Sequence, residues 1–367
     1  MSKIKWMNFK ARKTTASRRM RAAGVDGLLV THLPDVRYLC GFTGSNAALV
    51  LTGKKAILFT DGRYTVQAKA EAAGTQVVIA KKPVLPAACE WIVEAGIRRC
   101  GFDATQTTVA ALESMRKAIP AKQRKGLFVA TEPFVAQLRQ VKDADEIRRI
   151  RRAAKLGCEL FDGMLEYLRP GLTEVEVAAK LEYAARVKGA EAMSFDTIVA
   201  SGERSALPHG HASAAKFPKR GFVTLDFGVV LDGYMSDMTR TVYLGRARSE
   251  ERDVYDAVLE AQEAAVAAVT PGVTAGEVDE AARSVLRRAR LDKWFTHSTG
   301  HGVGLEIHEG PRLAAKQTQS LEPGMVITVE PGVYMPGRFG VRIEDMVLVT
   351  AKGREILTPS VKAWIEL

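Results

Sequence analysis

Asp226 stands inside an apolar run, and a carboxylate in a strand that ought to be buried constrains the surrounding fold strongly. In FVTLDFGVVLDGYMSDMTRTV, Phe222 to Val242, the bulky Val223, Leu225 and Phe227 alternate with Thr224, Asp226 and Gly228. That is the period-two pattern of a strand with two unlike faces. Asp232-Gly233 marks a turn, and a second strand carries Asp237, Thr239 and Thr241 on one face, so hairpin pairing brings Asp226 and Asp237 together. Two close buried anions are costly without a cation or a shared proton. The hairpin alone therefore reads either as a divalent-metal site or as a proton-sharing dyad.

The 367 residues, 47% hydrophobic and 26% charged, fit a globular chain of two domains. No apolar run approaches the roughly 18 residues that span a bilayer, so no membrane partner is expected. The start, MSKIKWMNFKARKTTASRRM, lacks the apolar core of a secretory signal, and a cytoplasmic location is the expectation. Cys40, Cys89, Cys100 and Cys158 are dispersed, without the close spacing of a zinc or redox motif, and read as buried thiols. Charge is uneven: residues 1–140 hold 23 Lys and Arg against 9 Asp and Glu, and residues 141–367 hold 30 against 33. A basic first part could meet nucleic acid, but no recognition motif or aromatic platform accompanies it, and a solvated basic face is the expected reading.

Along the chain, a short helix at 15–23 ends at Gly24 and a strand starts near Gly27. Ala47–Thr52 and Ala56–Thr60 flank a turn at Gly53-Lys54-Lys55, and Asp61 is placed to cap a helix reaching about Ala73. A strand at Gln76–Ala80, a helix near Ala87–Glu94, a strand at Cys100–Phe102 and a helix at Thr108–Ile119 complete an α/β pattern. Apolar residues at helical spacing from Ile147 to Leu168 change the character of the chain, so the domains read as 1–140 and 141–367. Two long helices then run into the same punctuation, Pro170-Gly171-Leu172-Thr173 and Pro271-Gly272-Val273-Thr274. Thr173 with Glu176 and Thr274 with Glu277 each fit a capping box, 101 positions apart.

Each half of this repeat reaches a strand pair with two acids, Asp226 and Asp237 in the first, Glu330 and Glu344 in the second. The implied second domain is α+β, a pseudo-twofold arrangement of helices over a curved antiparallel sheet. Between the acidic hairpins lies HSTGHGVGLEIHEGPR, with His297, His301 and His308, half of the six histidines in the chain. Gly300 and Gly302 around His301 allow close backbone approach, which makes His301 the best ligand candidate. Four carboxylates and an imidazole form a hard, oxygen-rich set able to hold two divalent ions, and amide hydrolysis is the natural use of such a pair.

SGERSALPHG, LDFGVVLDGYMSDMTRT, HSTGHGVGLEIHEGP, MVITVEPGVY and GVRIEDMVLV, in this order, closely resemble the pita-bread metallopeptidases, specifically the aminopeptidase P and prolidase branch that cleaves Xaa-Pro bonds. The resemblance implies that Asp226, Asp237, His301, Glu330 and Glu344 are metal ligands, with Asp237 and Glu344 bridging two ions and Glu330 also the general base. The ions it implies are Mn²⁺ first, with Co²⁺, Zn²⁺ or Fe²⁺ as alternatives. It puts His209 and His308 near the substrate carbonyl and His297 beside the proline-side pocket. Arg342 would either orient Glu344 or meet substrate, Thr239 would support its neighbouring ligand, and His211 reads as a loop residue.

LCGFTGSNAALVLTGKKAILFTDGRYTVQAKAEA resembles the creatinase-like first domain of the same branch, which implies dimer contacts and a homodimer. Arg312 falls where some prolidases carry an arginine, which favours a dipeptide with a free carboxylate. The first domain leans the other way, and the balance falls slightly on aminopeptidase. The alternative is a catalytically silent binding protein on this fold, using its basic first domain for nucleic acid; missing ligands would mark it, and none is missing.

Overall fold

The computed structural model describes residues 8–367, so residues 1–7 of the start considered for a secretory signal lie outside the described residues. The chain divides into two compact units, one up to Arg139 and the other Gln140–Leu367. In the first, strands β1 Gly27–Val30, β2 Ala47–Thr52, β3 Ala56–Thr60, β4 Gln76–Ile79, β5 Cys100–Asp103 and β6 Phe128–Thr131 form one sheet in the order β4-β3-β2-β1-β5-β6. The β1–β2 and β2–β3 pairs are antiparallel; β3–β4, β1–β5 and β5–β6 are parallel. The helices are α1 Phe9–Ala22, α2 Leu33–Cys40, α3 Thr65–Glu71, α4 Val84–Glu94, α5 Val109–Lys117 and α6 Phe134–Arg139.

Three differences from the sequence reading have local causes. Helix α1 begins at Phe9 rather than near residue 15, because the Asn8 side chain accepts from the Ala11 N–H and caps it earlier. Asp61 accepts from the Arg63 N–H, as a cap should, but it opens a single 3₁₀ turn, Gly62–Tyr64, before α3, which stops at Glu71. Helix α2 was not expected; its proline sits in the first turn, where a missing N–H costs nothing, and Gly41 closes it at φ 87°.

In the second unit, α7 Ala144–Met164, α8 Glu174–Val187, α9 Ser249–Ala268 and α10 Ala275–Arg288 cover the strands. The capping boxes at Thr173 and Thr274 are both made, each threonine accepting from the N–H three residues on and each glutamate reaching back. The repeat continues past the caps. Gly171 N donates to Phe217 O and Gly272 N to Leu321 O; Glu174 N donates to Ala215 O and Ala275 N to Gln319 O. The shared Pro-Gly-x-Thr-x-x-Glu pattern thus goes with the same loop-to-helix seam in both halves. Leu160, Phe161, Val177 and Leu181 pack with Val223 and Leu225, while Val258, Val278 and Ala282 pack with Ile327, Val329 and Val347.

The strands of this unit are β7 Ala192–Met193, β8 Ile198–Ser201, β9 Gly221–Phe227, β10 Val229–Leu231, β11 Tyr234–Met235, β12 Met238–Leu244, β13 Gly300–Gly302, β14 Glu309–Leu313, β15 Val326–Val329, β16 Gly332–Met335, β17 Phe339–Arg342, β18 Asp345–Thr350 and β19 Gly353–Ile356. The first half contributes the sheet β12-β9-β8 and the second β14-β13-β15-β18-β19. Among the described residues no helix is long and apolar enough to cross a membrane.

Candidate metal centre and cleft

Both acidic hairpins are interrupted where their acids stand, which corrects the expectation of simple two-stranded hairpins. β9 ends one residue after Asp226 and β12 begins one residue after Asp237; Glu330 follows β15 directly and Glu344 precedes β18 directly. Beyond the breaks the tips form separate sheets, β11-β10-β7 and β16-β17. Gly228 makes the first break possible, since a Cβ there would lie 1.7 Å from Ser236 O. In the ladder Asp226 pairs with Thr239, so Asp237 lies diagonally from it. The halves then join through Glu344 N–H to Thr239 O at 3.1 Å and the Thr241 hydroxyl to Arg342 O at 2.8 Å.

This seam opens on a cleft of about 680 Å³ whose wall includes Asp226, Asp237, His301, Glu330 and Glu344. His209, His297, His308, Arg312 and Arg342 line the same cleft, and so does His211, which sequence left as a loop residue. The five ligand candidates, the histidines at 209, 211, 297 and 308, and both arginines are therefore brought to one place, with Thr239 behind the wall. One ligand atom each of Asp237, His301 and Glu344 lies within 4.8 Å of the others.

His301 is carried by β13, where a Cβ on Gly300 would come within 2.0 Å of Thr328 O. Its Nδ1 lies 3.1 Å from Gly302 O, and a carbonyl only accepts, so Nδ1 carries the proton. Nε2 is then a bare lone pair, 3.6 Å from Asp237 Oδ2 and 3.4 Å from Glu330 Oε1. Protonation of the ring does not relieve this contact, because burial lowers the His301 pKa to about 4. Burial, reinforced by neighbouring carboxylates, pushes Asp237 and Glu344 well above the usual carboxylate range. Glu330 is raised to about 8, chiefly by burial. Asp226 Oδ1 is buried without a hydrogen-bond partner. A bare imidazole nitrogen among buried carboxyl groups that cannot all ionise without a counter-charge is a donor set that fits hard divalent cations.

Arg342 reaches Glu344 through Thr239, and the route is specific. Its Nη2 donates to Asp226 Oδ2 at 2.5 Å, and its Nε donates to the Thr239 hydroxyl, which in turn donates to Glu344 Oε2 at 2.7 Å. Nη1 donates to Tyr334 Oη, and the Tyr334 hydroxyl lies 3.0 Å from His297 Nε2. Since His297 Nδ1 donates to Ser298 O, Nε2 must accept from Tyr334, and His297 meets the cleft with its ring. Arg342→Met is expected to lower the stability of the metal-free protein by about 3–5 kcal/mol, because it strands the buried Asp226 charge. The urea midpoint checks this; a change under about 1 kcal/mol would mean that the pair holds nothing together.

Several supporting residues escaped the sequence reading. Tyr334, buried on β16, is one of them. Glu174, fully buried, accepts from Ser201, Arg204 and Ser213, and Arg204 donates to His211 O, fixing the loop that carries His209. Asp279 plays a parallel part in the second half, accepting from Thr299 and Arg283 while Arg283 donates to His297 O. Buried Arg240 pairs with Asp345 at 2.8 Å and so anchors the residue next to Glu344. Their common signal was weak: charged residues at otherwise apolar helix or strand positions.

Residues 148–351 match the Metallopeptidase family M24, and residues 12–141 match the Creatinase/Prolidase N-terminal domain. The chain is 36% identical to the Xaa-Pro dipeptidase of Pyrococcus horikoshii over 335 residues, 91% of this chain and 93% of that protein. Among solved structures, the Xaa-Pro dipeptidase from Bacillus anthracis has a TM-score of 0.94 at 39% identity, covering 98% of this chain and 100% of that one. The X-Pro aminopeptidase from Thermotoga maritima MSB8 has a TM-score of 0.87 at 36% identity, covering 95% and 100%. Dipeptidase names stand beside the aminopeptidase one at equal or higher similarity, so the slight preference for aminopeptidase drawn from the first domain is unsupported.

Proposed function

The chain belongs to metallopeptidase family M24, and from that premise we propose that it is an Xaa-Pro dipeptidase whose cleft holds two divalent ions, Mn²⁺ foremost. Asp226, Asp237, His301, Glu330 and Glu344 would hold them. Bound there, the ions supply Lewis acidity that polarises the scissile carbonyl and makes water acidic enough to attack near neutral pH. Glu330 takes the proton from the attacking water and passes it to the proline nitrogen as the C–N bond breaks, leaving a free amino acid and proline. Thr328 donates to Glu330 Oε1 at 3.2 Å, which orients the carboxylate for this transfer. His308, kept neutral because burial lowers its pKa, and His209 present N–H groups toward the carbonyl oxygen that gathers charge. His297, held by Tyr334, shapes the proline side.

One observation carries the choice of dipeptidase: Arg312, exposed on the cleft wall, is an unneutralised cation placed for a free carboxylate. Comparing Ala-Pro with Ala-Pro-Ala tests it. The dipeptide is expected to have the higher kcat/KM by about tenfold or more, and Arg312→Ala to remove most of that preference. Equal or better cleavage of the tripeptide would return the reading to aminopeptidase. Against a silent binding protein stands the complete cation-holding set, Asp226, Asp237, His301, Glu330 and Glu344, on the cleft wall. The proposal includes a cytoplasmic location and a homodimer, the dimer taken from the family resemblance.

A further inference from the structure

We infer that Asp196 holds the free α-ammonium group of the substrate and, together with Arg312, selects a two-residue zwitterion lying across the cleft. This deepens the dipeptidase reading and rests on it. Most charges on the cleft wall are already matched. Asp226 is paired with Arg342, and Glu309 with the buried Lys142 at 3.3 Å. Asp237, Glu330 and Glu344 crowd around His301 as the cation-holding set. Asp196 and Arg312 remain, opposite in sign and both exposed, and neither side chain has an ion pair or hydrogen bond with a described residue.

Asp196 comes from the first half of the unit and Arg312 from the second, and both line the same cleft. Phe195, Asp196 and Ile198 all line the cleft, on the segment that runs into β8. Ile198 pairs with Asp226 across β8 and β9, so Asp196 extends the first-half wall beyond Asp226. Arg312 on β14 pairs with His301 on β13, and directly paired residues share a face, which puts Arg312 on the second-half wall beside His301. An extended dipeptide spans about 7 Å and carries a positive and a negative end with its one peptide bond between them. Seated with its ammonium at Asp196 and its carboxylate at Arg312, it brings that bond over the cluster.

The test uses the Mn²⁺-loaded full chain with Ala-Pro, and with N-acetyl-Ala-Pro as a competing ligand. Wild type should bind the acetylated form about tenfold or more weakly than the free dipeptide. Asp196→Asn should raise KM for Ala-Pro by about ten- to a hundredfold with kcat within about threefold, and should bind both forms alike. Asp196→Glu should recover part of the discrimination. An unchanged Mn²⁺-dependent thermal shift in Asp196→Asn controls for fold and metal. If wild type cleaves Ala-Pro but Asp196→Asn keeps its KM, or still discriminates against the acetylated form, the assignment of Asp196 is wrong. If wild type leaves Ala-Pro intact, the dipeptidase reading itself fails, and this inference with it.

Discussion

Glu330→Gln is expected to cut kcat on Ala-Pro by about a thousandfold or more while leaving the fold in place. The amide keeps nearly the shape of the carboxylate and can still accept the Thr328 hydrogen bond, and the backbone there is fixed by Glu330 N–H to Thr299 O at 2.8 Å. What it cannot do is take and return a proton, a contribution worth about 10²–10⁴ in rate. It also removes one negative charge from the set proposed to hold the ions. The same change should leave the metal-free protein at least as stable as wild type. A buried carboxylate whose pKa is raised to about 8 by burial and by Asp226 opposes folding at neutral pH, and the neutral amide removes that opposition. Active and structural signatures thus move in opposite directions. A variant that keeps more than about a tenth of wild-type kcat would place the general base elsewhere.

What sequence could and could not disclose follows from the range over which each feature is encoded. Period-two alternation around Asp226 and the repeated Pro-Gly-x-Thr caps are local, and they imply paired acidic hairpins and a two-half domain. The breaks in those hairpins were not legible. They depend on Gly228 lying against Ser236 O, a contact made only once the strand has bent. The Arg342 route through Thr239 and Tyr334 likewise joins residues up to 116 positions apart, and no local pattern marks Tyr334 as different from a core tyrosine. Asp196 was invisible for the opposite reason: an exposed aspartate before a strand is unremarkable until its neighbours in the cleft are seen to be paired. In the first unit, α2 and β6 are short, eight and four residues, and too brief to show a period.

The central claim is that the acid cluster holds divalent cations and works only with them. Its physical ground is the bare His301 Nε2 beside Asp237 and Glu330, in a buried acid cluster that holds protons above the usual carboxylate range and would exchange them for a cation. Because cations would bind the folded cluster and not the unfolded chain, they should also stabilise it, by about 2.7 kcal/mol at a hundred times the dissociation constant. His301→Ala, which removes the one neutral donor, should lose both effects together. The most direct measurement is to strip the protein with a chelator, confirm the metal content by elemental analysis, and follow Ala-Pro hydrolysis and thermal unfolding as Mn²⁺ is added back. The expected result is no hydrolysis in the stripped protein, with activity and melting temperature rising together as about two ions bind per chain. Full hydrolysis by protein shown to be metal-free, or Mn²⁺ that neither binds nor stabilises, would contradict it.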